Sequence, residues 1–171
     1  MCIRDSYASV GFPIEQLDGV EGLPDLVFMA NQSFPGQLPD GRWAAVLSYM
    51  HCPERRPEVE VVAEWYRGRG ALIFHLSDPT LPFEGMGDVA WIPGRRAMVG
   101  GHGFRTDPRA YPELARIFDV PVLSVKLVDE RFYHLDTCLQ LIDHQTALYV
   151  PGAFDAEGLA LLRRAFPRLV E

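Results

Sequence analysis

The stretch DVAWIPGRRAMVGG, residues 88–101, contains two short apolar runs joined by a turn. VAWI and RAMVGG have the composition of strands, and Pro93-Gly94 between them is a turn signal. Spaced apolar residues then predict a helix that begins at Pro108 or Pro112 and runs to Phe118, and residues 122–127 read as a closing strand. The order strand, strand, helix, strand is the unit on which the whole fold depends.

The same order of elements precedes and follows this unit. On the N-terminal side we predict strands at residues 26–30 and 43–50, a helix at 57–67 that stops at Gly68 or Gly70, and a strand at 71–76. On the C-terminal side we predict a strand from residue 137, the strand TALYV, a helix at 156–166 with Asp155 as its N-cap, and a closing strand that begins at Arg168. Three units at a spacing of roughly fifty to sixty residues predict an α/β fold of repeated ββαβ units in one domain.

The bulk composition narrows the class of protein. The 171 residues are 48% hydrophobic and 23% charged, as expected for a soluble globular domain, and the formal net charge of -7 argues against binding to nucleic acid or an anionic membrane. No apolar run is long enough to span a bilayer, and three cysteines without CxxC spacing predict neither a disulfide framework nor a metal site. We therefore expect a cytoplasmic protein. Residues 1–6, MCIRDS, are interpreted as a leader or an assembly scar outside the fold.

Three polar segments stand at equivalent places in the repeat. They are PDLVFMAN at residues 24–31, FEGMGD at 83–88 and RFYHLDTC at 131–138. Each places ionisable or amide side chains at the edge of an apolar, strand-like run. Their recurrence at one point of the unit predicts a single shared pocket.

The side chains of these segments suit a planar, cationic ligand. In an extended strand His134 and Asp136 would lie on one face, about 7 Å apart, and would flank such a group. Glu84, in a glycine-containing turn, is a candidate for proton transfer. A guanidinium, with five N–H donors in one plane, fits this set best. The candidate side chains are Asp25, Asn31, Glu84, Asp88, His134 and Asp136.

Structural interpretations of single residues stay open at this point. FEGMGD alone is typical of a plain turn, and His134 alone is typical of a structural histidine. Arg105 either caps local carbonyls or holds a carboxylate. In a strand Cys138 would lie about 13 Å from His134, so we interpret it as a small buried hydrophobe and not as a nucleophile.

The chain resembles the guanidino-group-modifying enzymes of the pentein fold, and most closely the bacterial dimethylargininase-like and arginine dihydrolase-like hydrolases. The matching stretches are GLPDLVFMAN, HCPERRPE, FEGMGD, GGHGFRTDPRAY, LVDERFYHLDTC and TALYVPGAFD. The family fold is a closed ring of five ββαβ units, an α/β propeller. The resemblance therefore implies that residues 7–171 form a partial pentein-type catalytic domain with about three of the five units.

The resemblance also implies roles for individual residues. Glu84 and His134 match the proton-transfer pair, and Asp136 matches the carboxylate that grips the guanidinium. In the family reaction a cysteine thiolate attacks the guanidinium carbon, and no cofactor or metal takes part. The other matched positions are Asp25 at the substrate's amino end or guanidinium, Asp88 at the FEGMGD turn or substrate, and Arg105 at a substrate carboxylate.

Three departures from the family pattern bear on activity. No cysteine of this chain matches the nucleophile, which is expected beyond Glu171, so the chain is expected to be an inactive fragment on its own. Asn31 stands where many relatives have aspartate, as in the arginine dihydrolase subgroup. Tyr49 stands where related sequences often carry an arginine that binds the substrate carboxylate, so the sequence does not identify the substrate.

We therefore predict a hydrolase that cleaves C–N bonds of the guanidino group of arginine or methylated arginine. One alternative is an amidinotransferase, in which an amine instead of water captures the covalent intermediate. The other is a non-catalytic guanidino-binding protein or an inert truncated chain. An exposed sheet edge in a partial ring would also favour oligomers.

Overall fold

Three small sheets with one shared topology form the framework of the computed structural model, which describes residues 3–171 and leaves Met1 and Cys2 outside. In each sheet the first two strands are antiparallel, and the third lies parallel to the second on its far side. The strands are β1 Ser33–Gln37, β2 Trp43–Leu47, β3 Leu72–Phe74, β4 Val89–Trp91, β5 Met98–His102, β6 Val122–Lys126, β7 Leu139–Leu141, β8 Thr146–Tyr149 and β9 Arg168–Val170. The ββαβ order of the three units is confirmed.

The crossover helices also agree with the sequence prediction. α1, Ile3–Ser9, precedes the units, and the helices of the three units are α2 Arg56–Arg67, α4 Ala110–Phe118 and α5 Ala156–Ala165; the single turn α3 spans Gly85–Asp88. α2 ends at Gly68, and the side chain of Asp155 accepts the N–H of Gly158 at 2.7 Å as the N-cap of α5. No helix within residues 3–171 is long and apolar enough to cross a membrane.

The strand predicted at residues 26–30 is wrong. Pro24–Val27 is a 3-10 turn, for which the fixed φ of Pro24 at its first position is suited, and the first strand forms later, at β1. β1 contains Pro35 and Gly36, which discourage a strand prediction. It tolerates them because it is an edge strand, and because Trp91 donates its indole N–H to the carbonyl of Pro35 at 2.9 Å.

Two apolar cores hold the three units together. The first surrounds α4 and includes the rings of Phe34, Trp91 and Phe118, which stack or meet edge-on with centroids 5.3 to 5.8 Å apart. The second lies between the second and third units and includes Leu127, Leu135 and Leu162. This packing brings the N-terminal ends of β4 and β7, which carry the polar segments, close to one another.

Candidate active site

The short helix α3 aims two carboxylates into the interior. Gly85 takes φ +49°, and a Cβ at this residue would collide with the backbone of Ser33, so only glycine suits the tight approach. The flanking Glu84 and Asp88 are 0% and 1% exposed. Asp88 accepts the hydroxyl of Thr106 at 2.6 Å, which fixes the carboxylate in place.

His134 lies between these two carboxylates. Its Nδ1 is 3.1 Å from Asp88 Oδ1, and its Nε2 is 3.3 Å from Glu84 Oε2. No hydrogen bond of good geometry reaches Glu84 Oε2, so this second contact is mainly electrostatic. The tertiary structure thus assembles a buried acid–imidazole–acid group from two of the three predicted segments.

The local structure around His134 differs from the sequence prediction. Residues 131–138 do not form a strand; Glu130–Phe132 and Leu135–Thr137 are 3-10 turns on either side of an extended His134. Asp129 caps the first turn, and Asp88 accepts the backbone N–H of Leu135 at 3.1 Å. His134 and Asp136 therefore do not share the face of a strand, because these polar contacts favour turns over an extended run.

The electrostatics of this group favour a charged imidazole. Burial lowers the pKa of His134, but the hydrogen bond to Asp88 and the nearby Glu84 outweigh that effect and raise it to about 9. Burial alone would raise the pKa of Glu84, yet His134, the backbone N–H of His51 and Arg105 together lower it. Both effects favour a protonated imidazole beside an ionised Glu84 carboxylate.

Asn31 contacts the same imidazole from the first unit. Its Nδ2 lies 3.0 Å from His134 Nε2, and its backbone carbonyl accepts the hydroxyl of Ser48 at 2.6 Å. The side chain is 6% exposed. All three polar segments therefore converge, as the repeat predicted.

Arg105 holds a carboxylate, which resolves one of the alternatives from the sequence. Its Nη1 lies 3.3 Å from Glu84 Oε1, and its guanidinium stacks over the ring of Tyr133 at 4.8 Å. The backbone N–H of His51 donates to the same oxygen of Glu84 at 3.0 Å. A role of Arg105 toward a substrate carboxylate stays a prediction.

A cavity of about 400 Å³ opens beside His134. Glu84 and Asp88 lie behind the imidazole and do not line this cavity. Asp136 also lines the cavity, and as a whole residue it is exposed. Its carboxyl group is partly shielded from water, and this desolvation raises its pKa. The cavity is lined by Asp25, Phe28, Asn31, Cys52, Arg55, Arg105, Tyr133, His134, Asp136 and Thr137.

A larger hollow of about 1040 Å³ lies between the N-terminal segment and α2, but His134 and Asp136 do not line it. Volume alone would select this hollow as the site. We assign the site to the smaller cavity because the convergent ionisable groups are there. Within residues 3–171 no group of three or more His, Cys, Asp or Glu side chains is placed to hold a metal ion.

Cys138 is a buried hydrophobe. It is 4% exposed, and its thiol donates to the backbone carbonyls of Leu135 at 3.5 Å and His134 at 3.6 Å. Burial raises its pKa to about 12, so the reactive thiolate is strongly disfavoured. The separation of 13 Å predicted from a strand is wrong because the segment turns, but the structural interpretation of Cys138 is confirmed.

The sequence interpretation missed a buried polar network beneath the site. Arg55 is 8% exposed and pairs with Glu58, 1% exposed, at 3.0 Å. Glu58 also accepts the side-chain amide of Gln32 at 2.7 Å. The available signal was the stretch HCPERRPE, where charged residues stand at the start of an amphipathic helix.

Comparison of the sequence and the structure with known proteins identifies the class of enzyme that this chain resembles. Three of the curated relatives that this chain matches are named as a dimethylarginine dimethylaminohydrolase or an arginine dihydrolase, and the resemblance to pentein-fold, dimethylargininase-like enzymes is confirmed. No protein-family model matches the sequence.

Particular relatives then narrow the comparison. The chain is 34% identical over 168 residues to the N(G),N(G)-dimethylarginine dimethylaminohydrolase of Mycobacterium tuberculosis, covering 96% of this chain and 51% of the relative. It is 43% identical over 142 residues to the bifunctional arginine dihydrolase/ornithine cyclodeaminase AgrE of Nostoc sp., covering 83% of this chain and 19% of the relative. The chain thus spans about half of the first relative, and a smaller share of the second.

Solved structures agree with these sequence matches. The N-terminal domain of the cyanobacterial arginine dihydrolase ArgZ, bound to its substrate, superposes with a TM-score of 0.88 at 32% identity, covering 98% of this chain and 61% of that one. Unliganded AgrE gives a TM-score of 0.87 at 36% identity, over 97% of this chain and 24% of that one. A dimethylargininase from Pseudomonas aeruginosa, at 21% identity and a TM-score of 0.65 over 82% of this chain and 53% of that one, supports the fold alone.

Proposed function

We propose that the protein to which this chain belongs hydrolyses a C–N bond of the guanidino group of arginine or methylated arginine. One observation carries the proposal: His134 lies buried between Glu84 and Asp88 at the wall of a cavity that also presents Asp25 and Asp136. Carboxylates at the wall suit a planar cation with five N–H donors. A buried imidazole beside a glutamate suits proton transfer to a leaving nitrogen.

The reaction follows from these roles and from the family resemblance. A cysteine thiolate forms a bond to the guanidinium carbon while Asp136 holds the cation. The C–N bond then breaks, and the leaving amine takes a proton that His134 supplies. Water next attacks the amidino carbon and gives up a proton to the Glu84–His134 pair, and the thiolate leaves. No cofactor is needed.

The nucleophile is the part of this proposal that the chain does not carry. Cys138 is unreactive by burial, and Cys52 sits at the cavity wall beside Arg105, 3.8 Å from its Nη1. As the resemblance implies, we place the nucleophilic cysteine in sequence beyond Glu171. The chain alone is then expected to bind a guanidino compound without turnover.

The same proposal covers the architecture and the setting. We propose that residues 7–171 form about three units of a five-unit propeller whose remaining units lie in sequence outside this chain. The chain covers 61% of the ArgZ N-terminal domain, which supports a share of about three units in five. We further propose a cytoplasmic enzyme with a small-molecule substrate.

The identity of Asn31 favours one product over another. Its amide contacts His134 at 3.0 Å, where an aspartate would bring a negative charge. An amide grips a guanidinium less tightly than a carboxylate does, because it carries no charge. Together with the resemblance to arginine dihydrolases, this favours removal of both terminal nitrogens to give ornithine.

The test uses the longer chain, expressed from the source sequence, alongside the 171-residue chain. We expect the longer chain to release ammonia or dimethylamine from L-arginine or dimethylarginine, with ornithine or citrulline as co-product. The 171-residue chain should bind the same compounds without product. Formation of a new guanidino compound that depends on an added amine would favour an amidinotransferase, and no product from any arginine derivative would refute the proposal.

A further inference from the structure

Arg55, which lines the cavity, donates hydrogen bonds from Nε, Nη1 and Nη2. Its Nε and Nη2 donate to Glu58, and Nη2 also donates to the backbone carbonyls of Asp25 and Phe28, both at 3.2 Å. Its Nη1 donates to the side-chain oxygen of Asn31 at 3.3 Å. A single buried guanidinium therefore ties the turn that carries Asp25 to the side chain of Asn31.

This contact fixes which end of the Asn31 amide faces the imidazole. A guanidinium donates and never accepts, so the amide oxygen of Asn31 must face Arg55. The amide nitrogen is then left to face His134 Nε2, at 3.0 Å. Because an amide nitrogen also only donates, this hydrogen bond forms only when Nε2 carries a lone pair, that is, with the neutral imidazole whose proton is on Nδ1 toward Asp88. Protonation of Nε2 breaks this bond, so the contact opposes the charged form that Glu84 and Asp88 favour.

We propose that Arg55 is a positioning residue that acts through Asn31 to favour the neutral form of His134. Without the restraint from Arg55, the amide of Asn31 is free to rotate and offer its oxygen to a protonated Nε2. The consequence for chemistry rests on the proposed function: a His134 that returns readily to its neutral form accepts a proton from water more easily.

The other charged groups around His134 act in the opposite direction. Glu84 and Asp88 stabilise the imidazolium, and Asp136 adds a negative charge from the neighbouring turn. Arg105 reaches the group through Glu84, and the ring of Tyr133 lies 5.0 Å from the imidazole. Among these neighbours the Arg55–Asn31 pair is the one that presents a donor to Nε2.

The test is the pKa of His134, measured by NMR titration of the imidazole resonances in the 171-residue chain without substrate. Asn31→Ala removes the donor and should raise this pKa by about one unit. The double variant Arg55→Gln, Glu58→Gln frees the amide without leaving a buried charge unpaired, and should raise it similarly. The triple variant Asn31→Ala, Arg55→Gln, Glu58→Gln should have the same His134 pKa as Asn31→Ala alone, because Arg55 acts through Asn31.

A matched control removes an exposed ion pair from the connection between β1 and β2. Arg42→Gln, Asp40→Asn deletes a surface pair at 2.6 Å and should leave the pKa of His134 unchanged. If the buried double variant does not fold, Arg55→Lys takes its place, because lysine keeps a charge opposite Glu58 but lacks the planar guanidinium. Arg55→Lys should raise the pKa of His134 when Asn31 is present, and should not change it in the Asn31→Ala variant.

Two results would overturn the inference. One is an unchanged or lower pKa in Asn31→Ala, and the other is an Arg55 effect of equal size with and without Asn31. Because no substrate is present, either result leaves the proposed hydrolysis untouched. Equally, failure of the longer chain to hydrolyse arginine would leave the pKa measurement intact.

Discussion

His134 and Asp88 are joined twice, once through the side chain and once through the backbone. Asp88 Oδ1 lies 3.1 Å from His134 Nδ1 and accepts the N–H of Leu135 at the same distance. One carboxylate oxygen thus orients the imidazole and holds the turn that presents it. The link spans 46 residues of sequence, so it exists in the folded chain alone.

This contact makes stability depend on pH in a defined direction. The pKa of His134 is raised to about 9 in the folded chain and is about 6.5 when unfolded, so the stabilisation is complete below pH 6.5 and is lost as the pH rises through 9. We expect the free energy of unfolding to fall by up to about 3 kcal/mol across this range, measured by urea denaturation. His134→Gln should lack the slope; an equal slope in both proteins would contradict the assignment.

Asp136 is expected to capture the substrate more than to assist the chemistry. In the longer chain Asp136→Asn should weaken L-arginine binding about tenfold or more, because an amide lacks the charge that opposes the guanidinium. Calorimetry and the KM report this loss, with a smaller change in kcat. Asp40→Asn, which changes an exposed carboxylate paired with Arg42, should leave binding unchanged. Equal losses in both variants would argue against a specific role.

Asn31 is expected to decide the product. In the longer chain Asn31→Asp should shift the product from ornithine toward citrulline, because a charged carboxylate holds the guanidinium more firmly than an amide does. Product ratios from amino-acid analysis report the change. An unaltered ratio at comparable turnover would remove Asn31 from this role.

Gly87 leaves the space in which Asn31 meets His134. A Cβ at this residue would lie 2.5 Å from Asn31 Nδ2 and 3.2 Å from His134 Nδ1. Gly87→Ala should therefore push the amide away from the imidazole and lower the free energy of unfolding by about 1–3 kcal/mol. Gly152→Ala, where nothing lies within 4 Å, is the control. Similar stabilities and unshifted His134 resonances in both variants would disprove this crowding.

Cys138 is expected to resist alkylation in the folded chain. Burial raises its pKa to about 12, whereas Cys52 is half-exposed at the cavity wall. In a Cys2→Ser background, iodoacetamide at pH 8 should modify Cys52 first and reach Cys138 after unfolding, as peptide mass spectrometry would show. Labelling of both thiols at one rate would show that the Cys138 side chain is accessible.

The sequence by itself determined the repeat and the elements of each unit. Helix spacing, the Asp155 N-cap and the stop at Gly68 or Gly70 are local signals, and the structure places α2, α4 and α5 close to where those signals predicted them. The convergence of three polar segments also followed from the sequence, because equivalent positions in repeated units meet when the units pack side by side.

Only the tertiary structure decided how the site residues are held. The turns at Pro24–Val27 and Leu135–Thr137 replace predicted extended runs, because distant groups hold them: Arg55 binds the carbonyl of Asp25, and Asp88 binds the N–H of Leu135. Residues far apart in sequence supply these partners, so no local pattern contains them. For the same reason the sequence did not reveal that Arg105 pairs with Glu84 or that Arg55 orients Asn31: a long-range hydrogen bond requires a fold that brings donor and acceptor together.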